Sequence, residues 1–158
     1  MKKVTAVVPM KLNNRRLPQK NTKSFTNGKP LCYYILSTLL KIDGIDDVYV
    51  YCSNPDIREF IPEGVKYLKR SESLDTDSTK MNDVLKSFAM EVDSDIYVMT
   101  HTTAPFVKKE SIIKGIQAVL SGEKRTTPSQ PMELPSHCTR CYRYLYLCRY
   151  RNWYPGNT

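Results

Sequence analysis

The chain has 158 residues, 41% of them hydrophobic, and its 24 Lys and Arg against 16 Asp and Glu give a formal charge of +8. A chain of this length usually folds as one domain around one core. No apolar run reaches the roughly 18 residues of a membrane span, and the basic N-terminus lacks the apolar stretch of a signal peptide. We therefore expect a cytoplasmic protein without a membrane partner.

Short apolar runs alternate with amphipathic stretches along most of the chain. The runs are rich in β-branched residues and predict strands at residues 4–10, 48–52, 65–68 and 95–100. Apolar residues at helical spacing predict helices at 31–40, 84–90 and 108–120, and a short helix from Ser53 or Asn54 to Phe60. Strands alternating with helices indicate an α/β fold with a doubly wound, mostly parallel sheet.

The segment after the first strand, residues 9–21, is the richest in side chains that could bind a ligand, because it contains four cations and several amides. Ligands of parallel sheets bind beyond the carboxyl ends of the strands, so this segment and those after Cys52 and Met99 should line one cleft. Cations there suit a polyphosphate, although a solvated basic loop explains them equally well. The sequence contains neither a Gly-Lys-Ser/Thr P-loop nor a Gly-x-Gly-x-x-Gly dinucleotide fingerprint.

The same segment resembles the signature of sugar-acid cytidylyltransferases, above all the acylneuraminate cytidylyltransferases. The family loop reads Pro-Ala-Arg-x-x-Ser-Lys-x-Ile/Leu-Pro-x-Lys-Asn and is followed by Gly-Lys-Pro-Leu, which residues 28–31 repeat. The three family cations fall on Lys11, Arg15 and Lys20, whereas Met10 and Asn14 replace the family's Ala and Ser. Lysine in place of the first arginine loses the bidentate fork, so we expect looser phosphate geometry at Lys11.

Two later stretches extend the resemblance. Arg70 with Asp77 and Ser78 resembles the family's Arg-Pro…Asp-Thr stretch, and residues 53–56 resemble its Ser-Thr-Asp-Asn/Asp turn. Residues 100–107 resemble its Leu-Gln-Pro-Thr-Ser-Pro-Leu-Arg turn, so His101 stands where the family has a substrate-contacting Gln. A hydrogen-bonding substitute for Gln and a general base are both open roles for His101.

The resemblance implies a nucleotide-diphospho-sugar transferase-like fold that transfers CMP from CTP to an acidic sugar such as N-acylneuraminate and releases pyrophosphate. Lys20 and Arg15 would be the catalytic residues, because they would hold the triphosphate and stabilise the leaving group. The nucleotide-binding residues would be Met10, Lys11, Asn13, Asn14, Arg15, Lys20, Arg70, Asp77 and Ser78. The sugar would contact His101, Thr102 and Thr103.

The resemblance also implies Mg²⁺ as cofactor and a homodimer. The family holds its metal partly through an Asp-x-Asp pair late in the domain, but no Asp follows Asp95 here, and we assign no metal ligand. Asp75 and Asp77 could bind a metal or cap the following helix. Family members are longer and include a sugar pocket and a dimerisation arm. We therefore expect the isolated chain to be inactive or nearly so, and its dimerisation to be in doubt.

The composition changes at Glu123. Residues 124–158 carry six Lys or Arg against the single acid Glu133, and three of the five Cys. We predict a cytidylyltransferase-like domain at 1–123 and an atypical basic tail at 124–158, from a shifted reading frame or truncated gene; a divergent native tail is the alternative. Residues 142–147 alternate in the way that is typical of a strand, but the tail offers no second segment to pair with them. A sheet that ends after residue 100 would leave an unpaired edge.

Two features of the tail suggest other functions weakly. Cys138 and Cys141, with Cys148 nearby, could bind zinc, but the spacing suits a structural site poorly. Arg and Tyr interleaved through 140–154 could bind single-stranded nucleic acid, which we do not expect as a partner. The alternative function for the whole chain is a non-catalytic nucleotide-binding or interaction module with a basic aromatic tail.

Overall fold

The computed structural model describes residues 1–12, 19–25, 27–121, 125–126 and 146–149. Three α-helices and six strands lie within these ranges. The strands are β1 (Val4–Met10), β2 (Asp47–Cys52), β3 (Lys66–Lys69), β4 (Ile96–Met99), β5 (Arg125–Thr126) and β6 (Tyr146–Arg149). The helices are α1 (Leu31–Leu40), α2 (Met81–Glu91) and α3 (Lys109–Ser121).

The described strands form one sheet in the order β3-β2-β1-β4-β6-β5. The first four of these run parallel to one another. The chain moves outward from β1 through β2 to β3 and then crosses to the other side of β1 to form β4. The prediction of a doubly wound, mostly parallel α/β sheet is confirmed, and the strand order reverses between β1 and β4, where such sheets bind ligands.

All seven residues of β1 are buried because helices cover both faces of the sheet. Side chains alternate between the faces of a strand. Ala6 and Val8 belong to the core cluster that includes α1 and α3, whereas Val7 belongs to the cluster formed with α2. The continuous apolar run that predicted this strand therefore reflects burial on both sides.

The short helix predicted after β2 is a 3-10 helix that spans Pro55–Phe60. Asn54 is its N-cap, and its Oδ1 accepts a hydrogen bond from the backbone N–H of Asp56 at 2.9 Å. Ser53, the other candidate cap, instead donates its hydroxyl to the carboxylate of Asp75. The predicted boundaries of the other helices and strands up to Ser121 shift by at most a few residues, because the ends depend on local capping.

Residues 146 and 147, the described part of the segment predicted to have no partner strand, are paired in the structure, so that prediction is wrong for them. The β6 backbone pairs antiparallel with β4, and β5 pairs with the other side of β6. The outer edge of β4 is therefore covered, contrary to the open edge expected from the sequence. The candidate zinc residues Cys138 and Cys141 lie outside the described residues.

Cys32 and Cys52 have the packing role predicted for them. Cys32 on α1 and Cys52 at the end of β2 are both fully buried. Burial raises the pKa of the Cys32 thiol to about 11 and also raises that of Cys52. Both side chains are therefore small apolar core residues rather than nucleophiles.

Within the described ranges, no helix has the length and apolar character needed to cross a membrane.

Candidate functional site

A cavity of about 290 Å³ opens at the point where the strand order reverses. Its walls come from the turn after β1, the segment between β3 and α2, the first turns of α2 and the turn after β4. The volume is near the lower limit of typical small-molecule sites. The cleft predicted from the strand ends therefore exists, and we call it the switch-point cleft.

Most of the predicted site residues in the described ranges line this cleft, namely Met10, Lys11, Lys20, Arg70, Asp77, His101, Thr102 and Thr103. Ser78 is not among the lining residues, and its hydroxyl lies 3.1 Å from that of Thr76. Asn13, Asn14 and Arg15 lie outside the described residues. Residues that are up to 93 positions apart thus meet in one place, and their individual roles remain predictions.

The ammonium group of Lys11 is bound to backbone carbonyls across the cleft. Its Nζ donates to the carbonyl oxygen of Asp75 and, at 3.0 Å, to that of Thr76. These carbonyls end the 3-10 helix Glu72–Asp75, where a cation is favourable. Lys11 therefore joins the end of β1 to the segment after β3, and any contact with a triphosphate would have to share or replace these bonds.

Asn21 links the two sides of the cleft, although sequence reasoning did not single it out as a site residue. It is buried, its Nδ2 donates to the carbonyl oxygen of Lys11 at 2.9 Å, and its Oδ1 accepts from the Thr102 hydroxyl at 2.7 Å. Its position at the end of the Pro-x-Lys-Asn motif was the available signal. The side chain uses both its donor and its acceptor to hold the turn after β1 against the turn after β4.

The backbone adopts a left-handed conformation at Gln19, directly before the cleft residue Lys20. Gln19 has φ of 56°, which is uncommon for a residue with a Cβ atom. Its carbonyl oxygen accepts hydrogen bonds from the N–H groups of Thr22 and Lys23, both at 3.0 Å. This turn places Lys20, which is half-buried, at the wall of the cleft.

Arg70 is buried in the cleft wall, with 2% of its surface exposed. Its Nη2 donates to the Met10 carbonyl oxygen at 2.9 Å and forms an ion pair with Asp75. Its Nε is buried and finds no hydrogen-bond acceptor among the described residues. The alternative in which Asp75 caps α2 is wrong, because the residue before that helix is Lys80 and the Asp75 carboxylate is bound to Arg70 and Ser53.

His101 is half-buried at the wall of the cleft, and its carbonyl oxygen accepts from the Ala104 N–H at 3.1 Å. Burial lowers the pKa of the imidazole below its ordinary value of 6.5, because the cationic form loses hydration. The side chain is therefore mainly neutral at pH 7, a state in which it both donates and accepts a hydrogen bond.

The lowered pKa of His101 predicts that the free energy of unfolding decreases at acidic pH. As the pH falls below 6.5, the unfolded state binds a proton at His101 before the folded state does, so the free energy of unfolding decreases until the pH passes the folded pKa. We expect the melting temperature of the wild type to fall more between pH 7.5 and 5.5 than that of His101→Gln, measured by circular dichroism. Equal losses in the two proteins would contradict it.

The switch-point cleft supplies limited ligands for a magnesium ion. Among its described lining residues Asp77 is the single carboxylate, and no group of three potential metal-binding side chains occurs in the described residues. Mg²⁺ in nucleotide sites usually binds one or two carboxylates together with water and substrate phosphates. The cleft therefore fits an ion held by Asp77 and a bound triphosphate, and does not provide a site formed by protein ligands alone.

The parallel sheet, the helices on both of its faces and the cationic cleft at the switch point define a doubly wound α/β domain of the kind that binds nucleotides. A family model described as cytidylyltransferase matches residues 5–142, so the chain belongs to the cytidylyltransferase family. The matched range extends past Glu123 into the tail.

Three similar proteins support this placement. The chain is 28% identical over 145 residues to the CMP-N,N'-diacetyllegionaminic acid synthase of Legionella pneumophila. This alignment covers 86% of the present chain and 62% of the Legionella protein. The chain superposes on a CMP:2-keto-3-deoxy-manno-octonic acid synthetase complexed with CTP, with a TM-score of 0.71, 19% identity and coverage of 93% and 74%. A cytidylyltransferase from Leptospira borgpetersenii gives a TM-score of 0.67 at 12% identity, with coverage of 94% and 61%. The two superpositions show the fold, and the chain spans about three fifths of the curated relative.

Proposed function

We propose that this chain forms the nucleotide-binding part of an enzyme that transfers CMP from CTP to an acidic sugar such as N-acylneuraminate and releases pyrophosphate. The observation that carries the proposal is the cleft at the switch point of a cytidylyltransferase fold, lined by Lys11, Lys20 and Arg70. The Legionella relative is named for a CMP-linked nonulosonic acid, and the superposed octonic acid synthetase was determined with CTP. Both names support CTP and a sugar acid as substrates.

In this reaction the acceptor hydroxyl oxygen attacks the α-phosphorus, and the bond between that phosphorus and the bridging oxygen of pyrophosphate breaks. Negative charge grows on the departing pyrophosphate, and Lys20 would stabilise it from the cleft wall. Arg15, which lies outside the described residues, would act by the same principle. The hydroxyl proton must leave as the new bond forms, and neutral His101 is the cleft residue suited to accept it or to orient the hydroxyl.

The Nε–H of Arg70 has no acceptor among the described residues, which destabilises the folded protein by roughly 1–3 kcal/mol. This atom exposes less than 1 Å² of surface, so an acceptor atom of the nucleotide would reach it only after the cleft wall adjusts on binding. Asp77 would hold Mg²⁺ against the phosphates, and the ion would supply further neutralisation of their charge. A homodimer and a cytoplasmic location remain predictions.

Calorimetric titration with CTP, UTP, ATP and GTP tests the nucleotide, and release of pyrophosphate from CTP with Mg²⁺ and a panel of sugar acids tests the reaction. We expect selective binding of CTP, and slow turnover with a nonulosonic acid in preference to neutral sugars, because the isolated chain is expected to be nearly inactive. Binding of CTP without turnover by any sugar acid would favour the non-catalytic nucleotide-binding module. Equal binding of all four nucleotides, or none, would contradict the cytidylyltransferase proposal.

A further inference from the structure

We propose that Asp75 is a positioning residue for the nucleotide, because it fixes the orientation of Arg70 in the switch-point cleft. The inference rests on the proposed function and concerns a residue that does not line the cleft itself. It differs from both sequence-based expectations for Asp75, which were a metal ligand and a helix cap.

Asp75 is the point at which three strand ends meet. Its Oδ1 accepts from Nη2 of Arg70, which directly follows β3, and its Oδ2 accepts from the hydroxyl of Ser53, which directly follows β2. Its backbone carbonyl accepts from Nζ of Lys11, which directly follows β1. One residue therefore connects the carboxyl ends of three parallel strands beside the cleft.

These contacts determine which part of the Arg70 guanidinium is available to a ligand. Nη2 is occupied by Asp75 and the Met10 carbonyl oxygen, which fixes the plane of the group. Arg70 lines the cleft, and its Nε has no acceptor among the described residues but is buried, so that donor would reach a ligand only after the cleft wall adjusts. Without Asp75 the guanidinium would lose one of the two contacts that fix its plane, and its donors would be less well preorganised for the nucleotide.

The sign of the effect separates positioning from simple electrostatics. Asp75 is an anion close to a cleft that is proposed to bind a polyanion. If only its charge mattered, neutralising it would reduce repulsion and strengthen CTP binding. If it positions Arg70, neutralising it should weaken CTP binding despite the more favourable charge.

The test is calorimetric titration of the full chain with CTP, comparing the wild type with Asp75→Asn. We expect about tenfold weaker binding, because the hydrogen bond to Arg70 loses its charge assistance and the acceptor for Ser53 is replaced by an amide donor. Asp83→Asn is the matched control, since Asp83 is exposed on α2 and does not line the cleft, and it should bind like the wild type. Ser53→Ala removes one contact of the carboxylate, keeps the ion pair and should weaken binding in the same direction by a smaller factor.

A double-mutant cycle shows whether Asp75 acts through Arg70. In an Arg70→Ala background, Asp75→Asn should change the CTP dissociation constant by less than about twofold, because the group that it positions is absent. Undiminished weakening in that background would overturn the inference, as would unchanged or tighter CTP binding by Asp75→Asn alone.

Two further measurements separate the remaining outcomes. A role in stability alone would lower the melting temperature of Asp75→Asn and leave CTP affinity unchanged, which would also overturn the inference. If Asp75→Asn does not fold, Ser53→Ala carries the test, and unaltered CTP affinity in that variant counts against positioning. Failure of the wild type to bind CTP overturns the proposed function and this inference together, whereas wild-type binding that the variants leave unaffected overturns the inference alone.

Discussion

Replacing Lys20 with Ala is expected to lower the rate of pyrophosphate release from CTP by about 10²–10³-fold. Lys20 lies half-buried at the wall of the switch-point cleft, where it would stabilise charge that develops on the leaving group. Removal of one such group from a preorganised site typically lowers kcat by this factor. Pyrophosphate release at saturating CTP, Mg²⁺ and sugar acid measures the effect, and the CTP dissociation constant gives an independent readout.

Lys23→Ala is the matched control for Lys20→Ala. Lys23 follows the same left-handed turn at Gln19, but its side chain is exposed and does not line the cleft. The control should retain wild-type kinetics and CTP affinity. If the two variants behave alike, the positive charge of the segment acts only as a general field, and the interpretation as a solvated basic loop is correct.

The second large effect concerns the core. We expect Phe88→Ala to reduce the free energy of unfolding by about 3–5 kcal/mol, as is usual for a buried Phe. Phe88 on α2 is fully buried, and its ring packs edge-on against Tyr49, Tyr51 and Tyr97 at centroid distances of 5.5, 5.4 and 6.0 Å. Truncation would leave a cavity among three aromatic rings and remove favourable edge-to-face contacts.

Urea denaturation monitored by far-UV circular dichroism measures this decrease in the free energy of unfolding. Met90→Ala provides the comparison, because Met90 lies on the same helix with 76% of its surface exposed and should change stability by about 0.5 kcal/mol or less. A loss below about 1 kcal/mol for Phe88→Ala would show that the α2 face of the sheet does not depend on this ring.

The fold was predictable where burial is continuous. The continuous apolar run of β1 follows from burial on both faces of the parallel sheet, and the helical spacing of apolar residues in α1 and α3 follows from packing one helix face on that sheet. Both signals are local in sequence. The short helix Pro55–Phe60 was predicted without a helix type, because a six-residue segment has too few turns to show a period. The alternating pattern at 142–147 overlaps β6 only at residues 146 and 147, and the pairing of β6 with β4 depends on contacts far along the chain.

The position of the cleft was predictable for a different reason. Parallel topology places the carboxyl ends of the strands at one edge, so Lys11 and His101 could be placed together without knowing any contact, whereas Arg70 was placed there by the family resemblance. The partners within the cleft could not be predicted. The Asp75 carboxylate binds residues 5 and 22 positions away, and Asn21 binds a hydroxyl 81 positions away, and no periodic pattern encodes such pairs.

The bridge formed by Asn21 makes occupancy of one half of the cleft depend on the other. A ligand that shifts the turn after β1 also shifts Asn21, and through it the hydroxyl of Thr102 in the turn after β4. Linkage requires that any such effect be reciprocal, so that the first substrate to bind alters the affinity for the second by the same factor as the reverse. The strength of that coupling, which is the same whichever substrate binds first, would then depend on one buried amide group.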